Sequence, residues 1–130
     1  MKKKVLLVDD AAFMRMMLKK ILEELDFEVI AEAKSGKEAV RFYNQYKPDL
    51  VTMDLSMPEM DGIKATEKII AKDTEAKIII CSALGQKRKI IESVKAGAKD
   101  FILKPFDKES ISRKIKSLVD TDQHYIKKEA

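Results

Sequence analysis

Five short apolar runs, each followed by a segment whose apolar residues have helical spacing, constrain the fold of this chain most strongly. The runs are rich in Val, Ile and Leu, which is typical of strands buried on both faces of a parallel sheet. Because parallel strands need crossover helices, the alternation predicts an α/β protein, a three-layer αβα sandwich with a five-stranded parallel sheet in (βα)5 order. The predicted strands are 5–9, 27–33, 49–54, 76–82 and 99–104, and the predicted helices are 12–25, 35–46, 63–72, 86–96 and one from 108 onward.

Length and composition fit one domain. The chain has 130 residues, of which 45% are hydrophobic and 37% charged, so it can bury a core and is not disordered. We expect a domain over residues 1–120 and a polar C-terminal tail over 121–130. The single cysteine, Cys81, excludes an internal disulfide and indicates a reducing compartment. Neither a signal sequence nor a membrane span is predicted, so we expect a soluble cytoplasmic protein.

Three aspartates follow two of the apolar runs. Asp9 and Asp10 come after Val5–Val8, and Asp54 comes after a second run. The carboxyl ends of parallel strands meet at one edge of the sheet, which is where such sheets bind ligands. At about 4 Å, and with an effective dielectric constant near 20, one carboxylate pair repels by roughly 4 kcal/mol. A divalent cation relieves that repulsion, and oxygen ligands suit Mg²⁺. We therefore predict a magnesium site at this edge.

Two further strand ends add a hydroxyl and an ammonium group. Ser82 ends the fourth predicted strand, and Lys104 ends the fifth, just before Pro105. An ammonium beside a carboxylate cluster binds an oxyanion attached to that cluster, and a hydroxyl donates to the same oxyanion. A carboxylate nucleophile, Mg²⁺ and an ammonium together indicate phosphoryl transfer to a side chain, in which positioning and charge neutralisation dominate.

These motifs resemble the receiver domain of bacterial two-component response regulators, a family with a flavodoxin-like fold. The resemblance covers residues 3–119 and is most specific to the single-domain chemotaxis regulators, thermophilic type. The matching segments are Val8-Asp9-Asp10, residues 53–62 (MDLSMPEMDG), Ser82-Ala83 and Lys104-Pro105-Phe106.

The resemblance implies a role for each matching position around the predicted metal. Asp54 is expected to be the phosphoacceptor. The expected Mg²⁺ ligands are Asp10, Asp54 and the backbone carbonyl of Ser56, with Asp9 acting through water in the outer shell. Mn²⁺ is expected to substitute for Mg²⁺.

A second group of positions is implied to bind the phosphoryl group and to switch. Lys104 is expected to pair with phosphoryl oxygens, Ser82 to donate to one of them, and Ala83 to stay small so that the group is accessible. Phe101 occupies the position of the switching aromatic residue, often Tyr in the family, and keeps its packing without the hydroxyl. The bond before Pro105 is expected to be cis.

The implied function is a phosphorylation-dependent signalling switch, not an enzyme beyond its own phosphorylation and dephosphorylation. The implied partners are a CheA-like histidine kinase, a flagellar switch protein or another protein target, and a phosphatase, bound by a monomer. Residues 86–116 carry ten Lys or Arg and four Asp or Glu, a net charge of +6. This excess favours an acidic protein surface over nucleic acid, for which no recognition motif is present, and no membrane partner is expected.

Three alternatives remain open. A receiver in a phosphorelay outside chemotaxis would have the same site and a different partner. An aspartyl phosphatase would place a second acid two residues after the nucleophile, where Ser56 stands. An FMN-binding flavodoxin-like protein would need a phosphate loop after the first strand, where Asp10 would repel the phosphate.

The helix predicted over 86–96 carries three large apolar residues. Its spacing predicts Ile91 and Val94 to face the core, with Ile90 off the core stripe and a candidate for partner contact.

Overall fold

The computed structural model describes residues 2–129, with side chains described for residues 2–119. Five strands alternate with five helices, as the apolar pattern predicts. The elements are β1 (Lys4–Val8), α1 (Ala12–Glu24), β2 (Glu28–Ala33), α2 (Gly36–Tyr46), β3 (Leu50–Asp54), α3 (Gly62–Lys72), β4 (Ile78–Ser82), α4 (Lys87–Lys95), β5 (Asp100–Leu103) and α5 (Lys108–Glu129).

The strands form one parallel sheet in the order β2-β1-β3-β4-β5. The predicted three-layer α/β fold with a five-stranded parallel sheet is therefore confirmed. Asp54 pairs with Cys81 across β3 and β4, and Ser82 pairs with Leu103 across β4 and β5. This register brings the carboxyl ends of the four strands β1, β3, β4 and β5 to one edge of the sheet.

Each face of the sheet carries its own hydrophobic core. Successive residues of β1 alternate between the two, because side chains of a strand point to opposite faces: Leu6 belongs to one cluster and Leu7 to the other. The first cluster includes buried residues of α2, α3 and α4, and the second includes those of α1 and α5. The helices thus cover both faces of the sheet.

Two side-chain caps fix where helices begin near the site. Ser35 Oγ accepts the backbone N–H of Glu38 at 3.1 Å, and a Glu38 carboxylate oxygen accepts the N–H of Lys34 at 2.7 Å. Asp61 caps α3 by accepting the N–H of Lys64 at 2.9 Å. Such caps satisfy helix N–H groups that otherwise lack an intrahelical partner.

The predicted inner face of α4 is wrong by one position. Ile90 is buried, whereas Ile91 and Val94 are each 47% exposed. The helix begins at Lys87 rather than one residue earlier, and its buried residues are Ile90 and Ser93. Helical spacing alone did not reveal which of two adjacent isoleucines faces the core, because both fit an apolar stripe.

The backbone of α5 continues to Glu129, so the predicted tail over 121–130 is helical as far as its described backbone goes. The side chains of this tail lie outside the described residues. No helix in the described part of the chain has the length and apolar character needed to cross a membrane.

Candidate functional site: an aspartate cluster at the strand ends

Asp9, Asp10 and Asp54 converge at the carboxyl edge of the sheet. One carboxylate oxygen from each lies within 4.8 Å of those from the other two. Asp9 and Asp54 are buried, whereas Asp10 is exposed. Three hard oxygen donors at these separations, open to solvent on one side, fit a Mg²⁺ ion that keeps several of its waters.

Asp9 is held in place by its own turn and by a buried arginine. Its carboxylate accepts the backbone N–H of Ala11 at 2.9 Å, and its N–H donates to Ala33 O at 3.1 Å. Arg15 on α1 donates through Nη1 to the Asp9 carbonyl at 2.6 Å, while its Nε donates to Glu32 at 3.0 Å. The backbone that carries the two acids is therefore fixed to the neighbouring strand and helix.

Asp54 is fixed by the turn that follows β3. The N–H of Leu55 donates to Asp54 Oδ1 at 3.0 Å, and the N–H of Gly62 donates to Leu55 O at 2.9 Å. A Cβ atom at Gly62 would collide with the backbone carbonyl of Asp54. Gly62 therefore lets the start of α3 pack directly against the backbone of the candidate phosphoacceptor.

Lys104 brings a positive charge to the two buried acids. Its Nζ lies 3.0 Å from Asp9 Oδ2 and 3.4 Å from Asp54 Oδ1. Its backbone N–H donates to Ser82 O at 2.7 Å, which positions the residue at the end of β5, and the Lys104–Pro105 bond is cis. The single ammonium group is thus shared between two carboxylates.

Burial and charge shift the titration of this cluster. Burial raises the pKa of Asp54, the neighbouring charge of Asp9 raises it further, and Lys104 partly opposes both effects. Burial by itself would lower the pKa of Lys104, but the hydrogen bond to Asp9 and the charges of Asp54 and Asp9 outweigh it and raise that pKa. The site therefore favours a bound cation and resists the loss of the ammonium charge.

Ser82 and Ala83 direct their donors to a neighbouring side chain. The buried Ser82 hydroxyl donates to Gln86 Oε1 at 2.6 Å, and the N–H of Ala83 donates to the same oxygen at 3.1 Å. Gln86 Nε2 in turn donates to Ser56 Oγ at 3.2 Å. One carboxamide thus links the β4–α4 loop to the β3–α3 loop.

Phe101 lies on β5, paired with Ile80 of β4, and is half-buried. Lys114 of α5 places Nζ 4.7 Å from the centre of the Phe101 ring and 3.0 Å from Asp100 Oδ1. Phe101 also lines an apolar groove of about 440 Å³ between α4 and β5, together with Leu84, Ile90 and Leu103. This aromatic residue therefore lies on β5 between the groove beside α4 and Lys114 of α5.

Most of the predicted site residues come together, and two contributors were missed. Asp9, Asp10, Asp54 and Lys104 form one cluster, with Ser82 on the adjoining strand end. Arg15 was missed, although it shares the core stripe of α1 with Leu18 and Leu22 at spacings of three and four residues, and a buried cation there was the available signal. Gln86 was missed because no motif marks it, and only the tertiary contacts reveal its role.

Comparisons with known proteins agree with this geometry. Residues 5–116 match the response regulator receiver domain family. The chemotaxis protein CheY of Thermotoga maritima is 60% identical over 106 residues, which cover 82% of this chain and 88% of that protein. CheY of Listeria monocytogenes is 55% identical over 108 residues, covering 83% of this chain and 91% of that protein.

A solved structure shows the same architecture. The CheX–CheY–BeF3–Mg²⁺ complex from Borrelia burgdorferi contains a chain that superposes with a TM-score of 0.85 at 37% identity. The match covers 88% of this chain and 87% of that one.

The chain therefore belongs to the response regulator receiver domain family, a class of phosphorylation-dependent signalling proteins rather than metabolic enzymes. Its relatives at 55–60% identity are chemotaxis proteins named CheY. Receiver domains bind Mg²⁺ at an aspartate cluster, and the group formed by Asp9, Asp10 and Asp54 is of this kind.

Proposed function

We propose that this chain is a chemotaxis signalling switch that accepts a phosphoryl group on Asp54. The observation that carries the proposal is the convergence of four charged side chains at one sheet edge. Carboxylate oxygens of Asp9, Asp10 and Asp54 lie within 4.8 Å of one another. The Nζ atom of Lys104 lies within 3.4 Å of Asp9 and Asp54. In this proposal Asp10, Asp54 and the backbone carbonyl of Ser56 hold Mg²⁺, and Asp9 contacts it through water. When bound, the cation neutralises charge on the phosphoryl group and on the acids around it.

The protein residues perform the remaining work. An Asp54 carboxylate oxygen attacks phosphorus, the bond from phosphorus to the donor's leaving group breaks, and an acyl phosphate forms. Lys104 moves from its two carboxylates to pair with phosphoryl oxygens, Ser82 donates its hydroxyl to one of them, and Ala83 leaves room for the group. No second acid stands where an aspartyl phosphatase would need one, because that position is Ser56.

The signal is proposed to leave the site through Phe101. Once Ser82 turns towards the phosphoryl group, Phe101 fills the vacated space and the surface of α4, β5 and α5 changes shape. Leu84, Ile91 and Leu103 are exposed on this surface, and α4 also exposes Lys87, Arg88 and Lys95. An acidic and partly apolar segment of a flagellar switch protein fits such a surface. In this proposal the chain is a cytoplasmic monomer, and a CheA-like histidine kinase donates the phosphoryl group.

The chemistry is tested by incubation with acetyl phosphate and Mg²⁺, followed by intact-mass measurement. We expect a gain of one phosphoryl group with release of acetate. The gain should vanish in Asp54→Ala and after chelation of the metal, and persist in Glu67→Gln, which alters an exposed acid on α3. Mn²⁺ should support the same reaction. A gain that survives in Asp54→Ala would refute the assignment of Asp54, and a gain that does not need Mg²⁺ would refute the role of the metal.

The partner is tested with the beryllofluoride-bound protein. If the beryllofluoride-bound chain binds a flagellar switch protein more tightly than the unmodified chain does, a role in chemotaxis is supported. Transfer of the phosphoryl group from the acetyl-phosphate-treated chain to a second histidine-containing protein, without binding of the beryllofluoride-bound chain to the switch protein, would identify a phosphorelay receiver instead.

A further inference from the structure

Gln86 accepts hydrogen bonds from Ser82, the proposed donor to a phosphoryl group on Asp54, and from the next residue, Ala83. Its Oε1 receives the Ser82 hydroxyl at 2.6 Å and the Ala83 N–H at 3.1 Å. Both donors follow Cys81, the residue that pairs with Asp54 in the adjacent strand. The carboxamide oxygen therefore satisfies the donors at this strand end while the acceptor aspartate carries no phosphoryl group.

The same side chain ties together the two loops that flank the site. Gln86 Nε2 donates to Ser56 Oγ, two residues after Asp54. Gln86 is also the N-cap residue of α4, and its backbone carbonyl accepts the N–H of the buried Ile90 at 2.9 Å. A change in the position of Gln86 would therefore alter the first turn of α4.

We propose that Gln86 is a built-in latch that competes with the phosphoryl group for Ser82 and Ala83 and so sets the threshold of the switch. The proposal rests on phosphorylation at Asp54. An anionic phosphoryl oxygen is a stronger acceptor than a neutral carboxamide, so it displaces Gln86 Oε1 from both donors. The released carboxamide also gives up Ser56, which uncouples the β3–α3 loop from α4.

The latch predicts opposite effects for two substitutions of one residue. Gln86→Ala removes the competing acceptor, so a phosphoryl analogue should bind more tightly. Gln86→Glu keeps an acceptor oxygen and adds a negative charge beside the phosphoryl site, so the analogue should bind more weakly. A side chain that only supported the loop would weaken binding in both variants.

The test is a titration of the full chain with beryllofluoride at saturating Mg²⁺. The amide NMR signal of Ala83 monitors binding. In Gln86→Ala, beryllofluoride no longer has to displace the hydrogen bonds from Ser82 and Ala83 to Gln86. The half-saturating concentration should therefore fall about threefold to tenfold. Gln86→Leu, which keeps the bulk of the side chain, should behave the same way. Gln45→Ala, which removes an exposed carboxamide on α2, should match the wild type.

Each outcome has one meaning. Tighter binding in both Gln86→Ala and Gln86→Leu, with weaker binding in Gln86→Glu, supports the latch. Unchanged or weaker binding in Gln86→Ala and Gln86→Leu, while the wild type binds normally, overturns the latch and leaves the proposed function intact. A wild-type protein that does not bind beryllofluoride with Mg²⁺ overturns both.

Discussion

Lys104 lies closer to Asp9 than to Asp54: its Nζ is 3.0 Å from Asp9 Oδ2 and 3.4 Å from Asp54 Oδ1. One ammonium group thus compensates two buried carboxylates 45 residues apart in the chain. In the proposed mechanism, Lys104 must give up part of this contact when a phosphoryl group arrives. In that mechanism, Lys104 acts as a mobile charge rather than as part of a fixed structural ion pair.

Lys104→Arg should still accept a phosphoryl group but should switch poorly. The planar guanidinium pairs with one carboxylate through two parallel bonds and cannot replace a compact ammonium shared between two acids. We expect near-complete phosphorylation by acetyl phosphate in the mass assay. The change in the Phe101 ring NMR signals on phosphorylation should fall below about half that of the wild type. A full change in those signals would contradict the mobile-charge role of Lys104.

Asp54→Asn should stabilise the metal-free protein at neutral pH. The pKa of Asp54 is raised above its ordinary value of 3.8, first by burial and then by the charge of Asp9. A carboxyl group with a raised folded-state pKa favours folding at low pH, and that contribution is lost as the pH rises through the folded-state pKa. The neutral carboxamide avoids this loss.

Thermal unfolding from pH 3 to pH 8 checks this prediction. The melting temperature of Asp54→Asn should exceed that of the wild type at pH 7–8, with about 3–5 °C for each kcal/mol relieved. The difference should shrink as the pH approaches the unfolded-state pKa of an aspartate, about 3.9. If the difference in melting temperature instead grows towards low pH, the charge of Asp54 does not destabilise the folded protein.

Mg²⁺ should stabilise the wild-type protein through the aspartate cluster. At a concentration about 100 times the dissociation constant, a ligand that binds only the folded state adds about 2.7 kcal/mol to the free energy of unfolding. Asp10→Asn should lose most of this gain, because it removes an exposed proposed ligand. Glu67→Gln should keep it. Equal Mg²⁺ effects in Asp10→Asn and the wild type, measured by thermal unfolding, would rule out Asp10 as a ligand.

Gly62→Ala should destabilise the fold by about 1–3 kcal/mol or more, since its Cβ would meet the Asp54 carbonyl and backbone atoms do not yield easily. Gly85→Ala is the matched control. Gly85 has a φ of 90°, but a Cβ there meets nothing within 4 Å, so only backbone strain of roughly 1–2 kcal/mol is expected. Urea unfolding measures both. A smaller loss in Gly62→Ala than in Gly85→Ala would contradict the close packing of α3 against β3.

The Cys81 thiol should be unreactive in the folded protein. Burial is the main cause that raises the pKa of Cys81 to about 12. The charge of Lys104 opposes the rise, and the charges of Asp9 and Asp54 add to it. Labelling by iodoacetamide at pH 8 should therefore proceed only through unfolding and should accelerate steeply in urea. Because the chain has one cysteine, mass spectrometry gives the labelled fraction directly. Rapid labelling of the folded protein would contradict this burial.

Local sequence patterns were enough to predict the (βα)5 order, the parallel sheet and the acids at its carboxyl edge. These features follow from local patterns: apolar runs that end in Asp9 and Asp54, and caps such as Ser35 that begin a helix. Because parallel strands share one direction, strand-end residues far apart in the chain had to meet at one edge. The magnesium and phosphoryl chemistry was therefore predictable from residue types at those ends.

The folded molecule was needed to show which of several equivalent residues makes each contact. The choice of Ile90 over Ile91 for the core depends on how α4 rotates against the sheet, and local spacing fits either. The bonds from Arg15 to the Asp9 carbonyl and from Gln86 to Ser82 depend on side-chain positions across neighbouring elements. Periodicity indicates that an element has a buried face, whereas the rotation of that face and its hydrogen-bond partners are set by packing geometry that no short pattern encodes.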